Sequence, residues 1–209
     1  MRKLLVGLVM VLMGLLLMAP IASAYPVAEG DYIVATLGIG GGVNGGGAFN
    51  INKVGDSEGV LFDTFCVEIS ETFSPGQQLY IGSITDFAIK GGEVTSDPLD
   101  SESAYLMYQW ATWSIAHTAD NANAVQAAIW YIEDAAALPA GLATTFYNDA
   151  FANKDGSLYG VQVMNLYGDQ AMTVLKQDML VYNPVPEPAT MLLLGLGLVG
   201  LAGLRRKIF

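Results

Sequence analysis

Two hydrophobic periods divide this chain. Residues 31–37 alternate apolar and polar positions and are rich in β-formers, which predicts a strand with one buried face. Similar runs at 48–54, 59–70, 79–84 and 86–89 are separated by Gly, Pro, Asn and Asp. From residue 100 the period lengthens. Asp100 and Ser101 can cap a helix running through Tyr105, Leu106, Trp110 and Trp113, because short polar side chains accept from the free N–H groups of a first turn. Asp120 or Asn121 can cap a second helix over 122–137, stopped by Pro139, and 142–152 predicts a third. Residues 161–166 and 172–182 return to strand. Strands, then helices, then strands predict an α+β fold, with β-sandwich or barrel-like strands and an inserted helical subdomain.

Residues 38–47 are glycine-rich and contain a formal G-x-G-x-x-G at Gly40, Gly42 and Gly45. A dinucleotide cradle needs a helix directly after the glycines. None is predicted here, so the segment reads as a flexible hairpin loop.

The ends of the chain carry addresses. Arg2 and Lys3 precede a nearly unbroken apolar run over 4–18, and Ala22-Ser23-Ala24 supplies small residues for cleavage. This predicts a signal helix over 1–24, removed by signal peptidase to leave a chain starting at Tyr25. At the other end Val185-Pro186-Glu187-Pro188 leads into 190–204, where every residue after Thr190 is Leu, Gly, Val, Ala or Met, and Arg205-Arg206-Lys207 follows. As a helix that stretch spans roughly 20–25 Å, a little short of a hydrocarbon core of about 30 Å. The basic cluster would stay cytoplasmic. Read alone, the segment is an ordinary C-terminal transmembrane anchor.

The order Pro-Glu-Pro, short Gly-containing apolar helix, Arg-Arg-Lys resembles the PEP-CTERM sorting signal of Gram-negative bacteria, over residues 184–207. That resemblance implies an exosortase as partner, anchoring in the inner membrane during sorting, and export to the cell surface or an extracellular matrix. The chain then divides into 1–24, an ectodomain over 25–182, and a sorting segment over 183–209.

With Glu187 set aside, the twenty acids leave nineteen in residues 25–184, against Lys53, Lys90, Lys154 and Lys176, a net charge of −15. Such a surface repels polyanions, so nucleic acid is excluded as a partner. Asp97, Asp100 and Glu102 are a loose acidic cluster without the spacing of a calcium loop. The sequence contains no H-E-x-x-H, C-x-x-C or P-loop pattern. We expect no cofactor, no metal and no turnover enzyme.

The candidate chemistry lies in two residues. Cys66 is the only cysteine of an exported chain, so no internal disulfide can occupy it. On a strand it shares a face with Phe62, Thr64, Glu68 and Ser70, while Leu61, Asp63, Phe65, Val67 and Ile69 form the more apolar face expected to be the main core. Gln126 interrupts Ala124-Val125-Gln126-Ala127-Ala128-Ile129-Trp130. A carboxamide so placed is either hydrogen-bonded or has lost its nitrogen. A thiol and a carboxamide can condense to a thioester with loss of ammonia.

Aromatic-Cys-hydrophobic-polar on a strand, followed by hydrophobic-Gln-x-x-Ile-Trp on a helix, resembles the bacterial thioester domains of surface adhesins. Tyr105-Leu106-Met107-Tyr108-Gln109 is similar to the aromatic helix that precedes the glutamine helix there. The resemblance implies a Cys66–Gln126 thioester that attaches the protein covalently to amine-bearing targets. Trp130, Tyr131 and Trp110 are candidates to shield such a bond from water, and His117 is a secondary candidate as general base. The rival readings are a noncovalent structural or carbohydrate-binding matrix protein with a buried free Cys66, a bond kept for stability, and a dimer linked through Cys66.

Overall fold

The alternating and helical segments become eight strands and three helices in the described part of the chain. The computed structural model describes residues 26–41, 46–55, 59–89, 96–134, 137 and 140–184. They fall within a unit bounded by Tyr25–Pro184. The expected signal helix over 1–24 and the expected transmembrane helix over 190–204 lie outside the described residues. Among those described, no helix is long and apolar enough to cross a membrane.

Six strands form one antiparallel sheet. They are β1 (Tyr32–Gly40), β2 (Gly47–Lys53), β3 (Phe62–Thr64), β4 (Gln78–Thr85), β7 (Val161–Tyr167) and β8 (Leu175–Tyr182), in the order β3-β2-β1-β4-β7-β8. The sheet closes on itself. Beyond β3 the chain meets the far edge through an antiparallel bridge between Cys66 and Met179. Val67 N–H donates to Asp178 O at 3.0 Å and Leu180 N–H to Phe65 O at 3.0 Å. Closure removes the exposed edges that an open sheet would present. The sandwich alternative therefore gives way to a small barrel. A two-stranded ribbon, β5 (Phe87–Ile89) with β6 (Ser96–Pro98), leads into the helices.

The helices are α1 (Ser101–Ala111), α2 (Ala119–Asp134) and α3 (Leu142–Asn153). Two expected caps are corrected. Asp100 occupies the N-cap position of α1, but its side chain makes no capping bond. α2 begins three residues earlier than its pattern suggested, because Thr118 rather than Asp120 or Asn121 caps it: Thr118 Oγ1 accepts from Asn121 N–H at 3.3 Å. Such a cap contributes about 1 kcal/mol.

Two cores result. Ile33, Ala35, Phe49, Ile51, Leu79, Ile81, Met164, Leu166, Met179 and Val181 fill the barrel interior, together with Cys66. Phe65, Val67, Val161, Val163 and Leu180 face outward under α1 and α2, against Leu106, Trp110, Val125 and Ile129. The stretch from Thr64 to Glu68 is buried on both faces. This corrects the expectation that one face of 59–70 was core and the Cys66 face more polar. Ile69, assigned to the core face, is 43% exposed. Helical cover on the outside of the barrel makes both faces interior.

Candidate functional site

The register that pairs Phe49 with Thr64 would set Gly47 opposite Cys66. Instead β2 turns back there toward β1, Gly47 pairing with Gly40. The place left open is taken by a side chain. Cys66 N–H donates to Gln126 Oε1 at 2.9 Å, and Gln126 Nε2 donates to Cys66 O at 2.8 Å. The carboxamide thus acts as a one-residue neighbouring strand. Cys66 and Gln126 are each 1% exposed, so no water competes for these bonds, and each buried peptide group at Cys66 is satisfied.

α2 delivers Gln126 because its inward stripe carries Ala122, Val125 and Ile129 into the outer core, and the turn spacing aligns Asn123, Gln126 and Trp130 beside them. The described ends of the glycine-rich segment pack on this second stripe. A Cβ on Gly46 would lie 3.0 and 3.1 Å from Trp130 ring atoms and 3.3 Å from Gln126 Cγ. Gly40, at φ +106°, would place a Cβ 2.6 Å from Asn123 Oδ1. Gly41 N–H donates to that same oxygen at 3.4 Å. At these positions the glycines read as a flexible loop are the condition for close approach to α2.

On the other side lies a pocket of about 300 Å³. Its walls include Leu37, Phe49, Phe73 and Trp130, with Cys66 and Glu71 among them. Trp130 is fixed by its indole N–H, which donates to Glu68 O at 3.2 Å. Gln177 of β8 donates to the same carbonyl. Of the three aromatic side chains expected to shield the pair, Trp130 lies at it. Trp110 packs edge-on against Phe65 at 5.1 Å between centroids, and Tyr131 against Tyr147 at 4.9 Å.

The electrostatics favour neutral groups. Burial pushes the Cys66 thiol well above its ordinary range, and the Glu68 charge pushes it further. Burial also raises Glu71, against the influence of neighbouring Glu68 and the attraction of Lys176. Glu68 and Glu71 were not chosen from the sequence as site residues. Glu68 was visible two residues from Cys66 on the same strand face, but that proximity established no role, and nothing in the local pattern marked Glu71.

His117 belongs to a different cluster. Its ring is stacked between Trp110, 3.9 Å away at 7°, and Trp113, 3.7 Å away at 14°. Its Nε2–H donates to Trp110 O at 2.9 Å, and Nδ1 is 3.8 Å from Asp63 Oδ2. These contacts hold the imidazole in a π-stack. Asp63 is raised by burial, opposed by the attraction of His117. Asp100 N–H donates to Glu133 Oε1 at 3.3 Å, and Lys154 pairs with Glu102 beside them. Among the described residues, no group of three His, Cys, Asp or Glu side chains is arranged to hold a metal ion.

No curated protein and no solved structure matches this chain. Residues 184–207 match the PEP-CTERM protein-sorting motif. By that motif the chain is an exported protein that an exosortase processes and that is anchored in the membrane during sorting.

Proposed function

We propose that the ectodomain of this exported protein carries an internal thioester between Cys66 and Gln126, used once to attach the protein to an amine-bearing molecule of the cell surface or matrix. The observation that carries this reading is the pair of hydrogen bonds, 2.9 and 2.8 Å, between the Gln126 carboxamide and the backbone of Cys66. They hold the amide carbon against the residue that bears the thiol. Proximity of this kind turns an improbable encounter into an intramolecular step.

In closure Sγ attacks Cδ of Gln126, the C–S bond forms, the C–Nε2 bond breaks, and the nitrogen leaves as ammonia with the thiol proton. Burial keeps the thiol protonated in the finished fold, so closure belongs to a stage of folding before the seam is dry. The same dryness then protects the bond from hydrolysis. In opening, a primary amine attacks Cδ, an amide forms, and the Cys66 thiol is released. The bond would close a 60-residue separation, a restraint of roughly 4 kcal/mol by loop entropy.

Intact-mass measurement of the exported protein tests this. The expected mass is one ammonia below that of the processed sequence, with the deficit absent in Cys66→Ala and replaced by a methylamine adduct after incubation. A full unmodified mass in fresh protein would remove the reading.

A second reading has its own support. The carboxamide is bonded at both ends and the thiol is kept neutral, which suits a purely structural lock in a noncovalent matrix protein. Full mass with slow alkylation of native Cys66 would establish it.

A further inference from the structure

We infer that Glu71 carries the proton from the incoming amine to the sulfur of Cys66 when the thioester opens. The inference rests on the thioester reading above and adds the group that makes the exchange possible.

The chemistry sets a requirement. An amine that has attacked a carbonyl bears a proton it must lose, and a sulfur leaving into a buried site must gain one. Thiolate is strongly disfavoured at Cys66, because burial and the Glu68 charge both oppose it. A single acid–base group beside the sulfur serves both ends. Among the residues lining the pocket, the titratable ones are Cys66 and Glu71. Glu71 is 9% exposed, so it meets the pocket and little bulk water. The loop that holds it is pinned by Trp130 and Gln177 at the Glu68 carbonyl.

The charged and titratable groups around Glu71 come from three places. Glu68 is its acidic neighbour on its own segment, and Lys176 of β8 attracts its negative form. Asp178, also of β8, and Tyr167 of β7 are repelled by its charge. Burial dominates, and the net effect holds Glu71 above the ordinary carboxylate range. That makes it a stronger base than a surface glutamate, while it remains an acid able to protonate a thiolate.

The step balances. The amine lone pair forms the N–Cδ bond, and a Glu71 carboxylate oxygen takes a proton from that nitrogen. The C–S bond breaks, and Glu71 passes the proton to Sγ. The products are a substituted amide at Gln126, a neutral thiol at Cys66 and a regenerated carboxylate.

The test is methylamine uptake by the full exported protein, followed by mass across pH for wild type, Glu71→Gln and Glu71→Asp. In wild type the rate should show an inflection as Glu71 ionises. Glu71→Gln should keep the ammonia deficit, react at least about tenfold slower and lack the inflection. Glu71→Asp should recover part of the rate and restore the inflection, and it carries the test if the glutamine variant fails to fold. Glu71→Gln reacting at the wild-type rate would overturn the inference, as would a slower rate with an unchanged inflection, which marks a packing role. A wild-type protein of full mass would overturn the thioester reading and this inference together, before any variant is made.

Discussion

Gln126 completes the hydrogen bonding of Cys66 as a neighbouring strand would, using one carboxamide in place of one peptide. The relationship explains why a polar side chain stands in the otherwise apolar stripe of α2. It also gives the site a mechanical role that any chemistry must build on.

Gln126→Ala should therefore be costly. It leaves a buried N–H and a buried C=O on Cys66 without partners, and each such group costs roughly 1–3 kcal/mol. We expect a loss of about 2–6 kcal/mol in urea unfolding. A loss under about 0.5 kcal/mol would show that the seam is open to water.

Gly46→Ala places a methyl group against the Trp130 ring and the Gln126 stem, at 3.0 to 3.3 Å. Overpacking of this kind costs roughly 1–3 kcal/mol. Because Trp130 also walls the pocket, alkylation of Cys66 should become faster in this variant than in wild type, measured under native conditions on protein with a free thiol. Equal rates would mean that Trp130 does not control access.

Stability should fall as pH rises through the weakly acidic range. Burial raises Asp178 to about 7, although Ile89 N–H, Leu166 N–H and Asn165 Nδ2 donate to its carboxylate. Burial likewise raises Glu133 to about 7. Below about pH 4 both acids are protonated in either state, and their burial costs nothing extra. Between about 4 and 7 the unfolded chain releases these protons while the folded chain retains them, so the unfolded state gains. The melting temperature at pH 8 should be lower than at pH 5 by roughly 5–10 °C. Asp178→Asn, which keeps an acceptor but cannot ionise, should flatten the slope. A melting temperature that climbs from pH 5 to pH 8 would contradict this assignment.

His117→Ala should lower stability without touching the chemistry. It empties the gap between two indoles, and each stacked pair is worth about 0.5–1.5 kcal/mol, so a loss of roughly 1–3 kcal/mol is expected. Methylamine uptake by this variant should match wild type. A slower uptake at equal folded fraction would return His117 to the reaction.

Most elements were legible from period alone. The strands at 79–84 and 161–166 and the helix over 142–152 coincide closely with β4, β7 and α3, since each has a single clear pattern. The run over 59–70 misled. Alternation reports which face is apolar, but a strand covered on both sides has two cores, and Cys66 went to the barrel interior. The pairing of Cys66 with Gln126 was visible only as two anomalies, a lone thiol and a lone amide, because their contact spans 60 residues. Glu71, Gln177 and Gly46 left no local trace. They reach the site from a loop, a distal strand and a hairpin, and only the closed barrel gathers them. The Thr118 cap was missed for a smaller reason: neighbouring Asp and Asn residues offered an equally good capping signal one turn along.

The seam at Cys66 has β8 on one flank and a helical side chain on the other. A barrel whose last staves are latched by a group from the outer layer has no way to shed that layer and stay shut. Detaching α2 would unfasten the cylinder, so slow amide exchange in the middle of α2 and in β8 should report one and the same global opening, with no half-dismantled species in between.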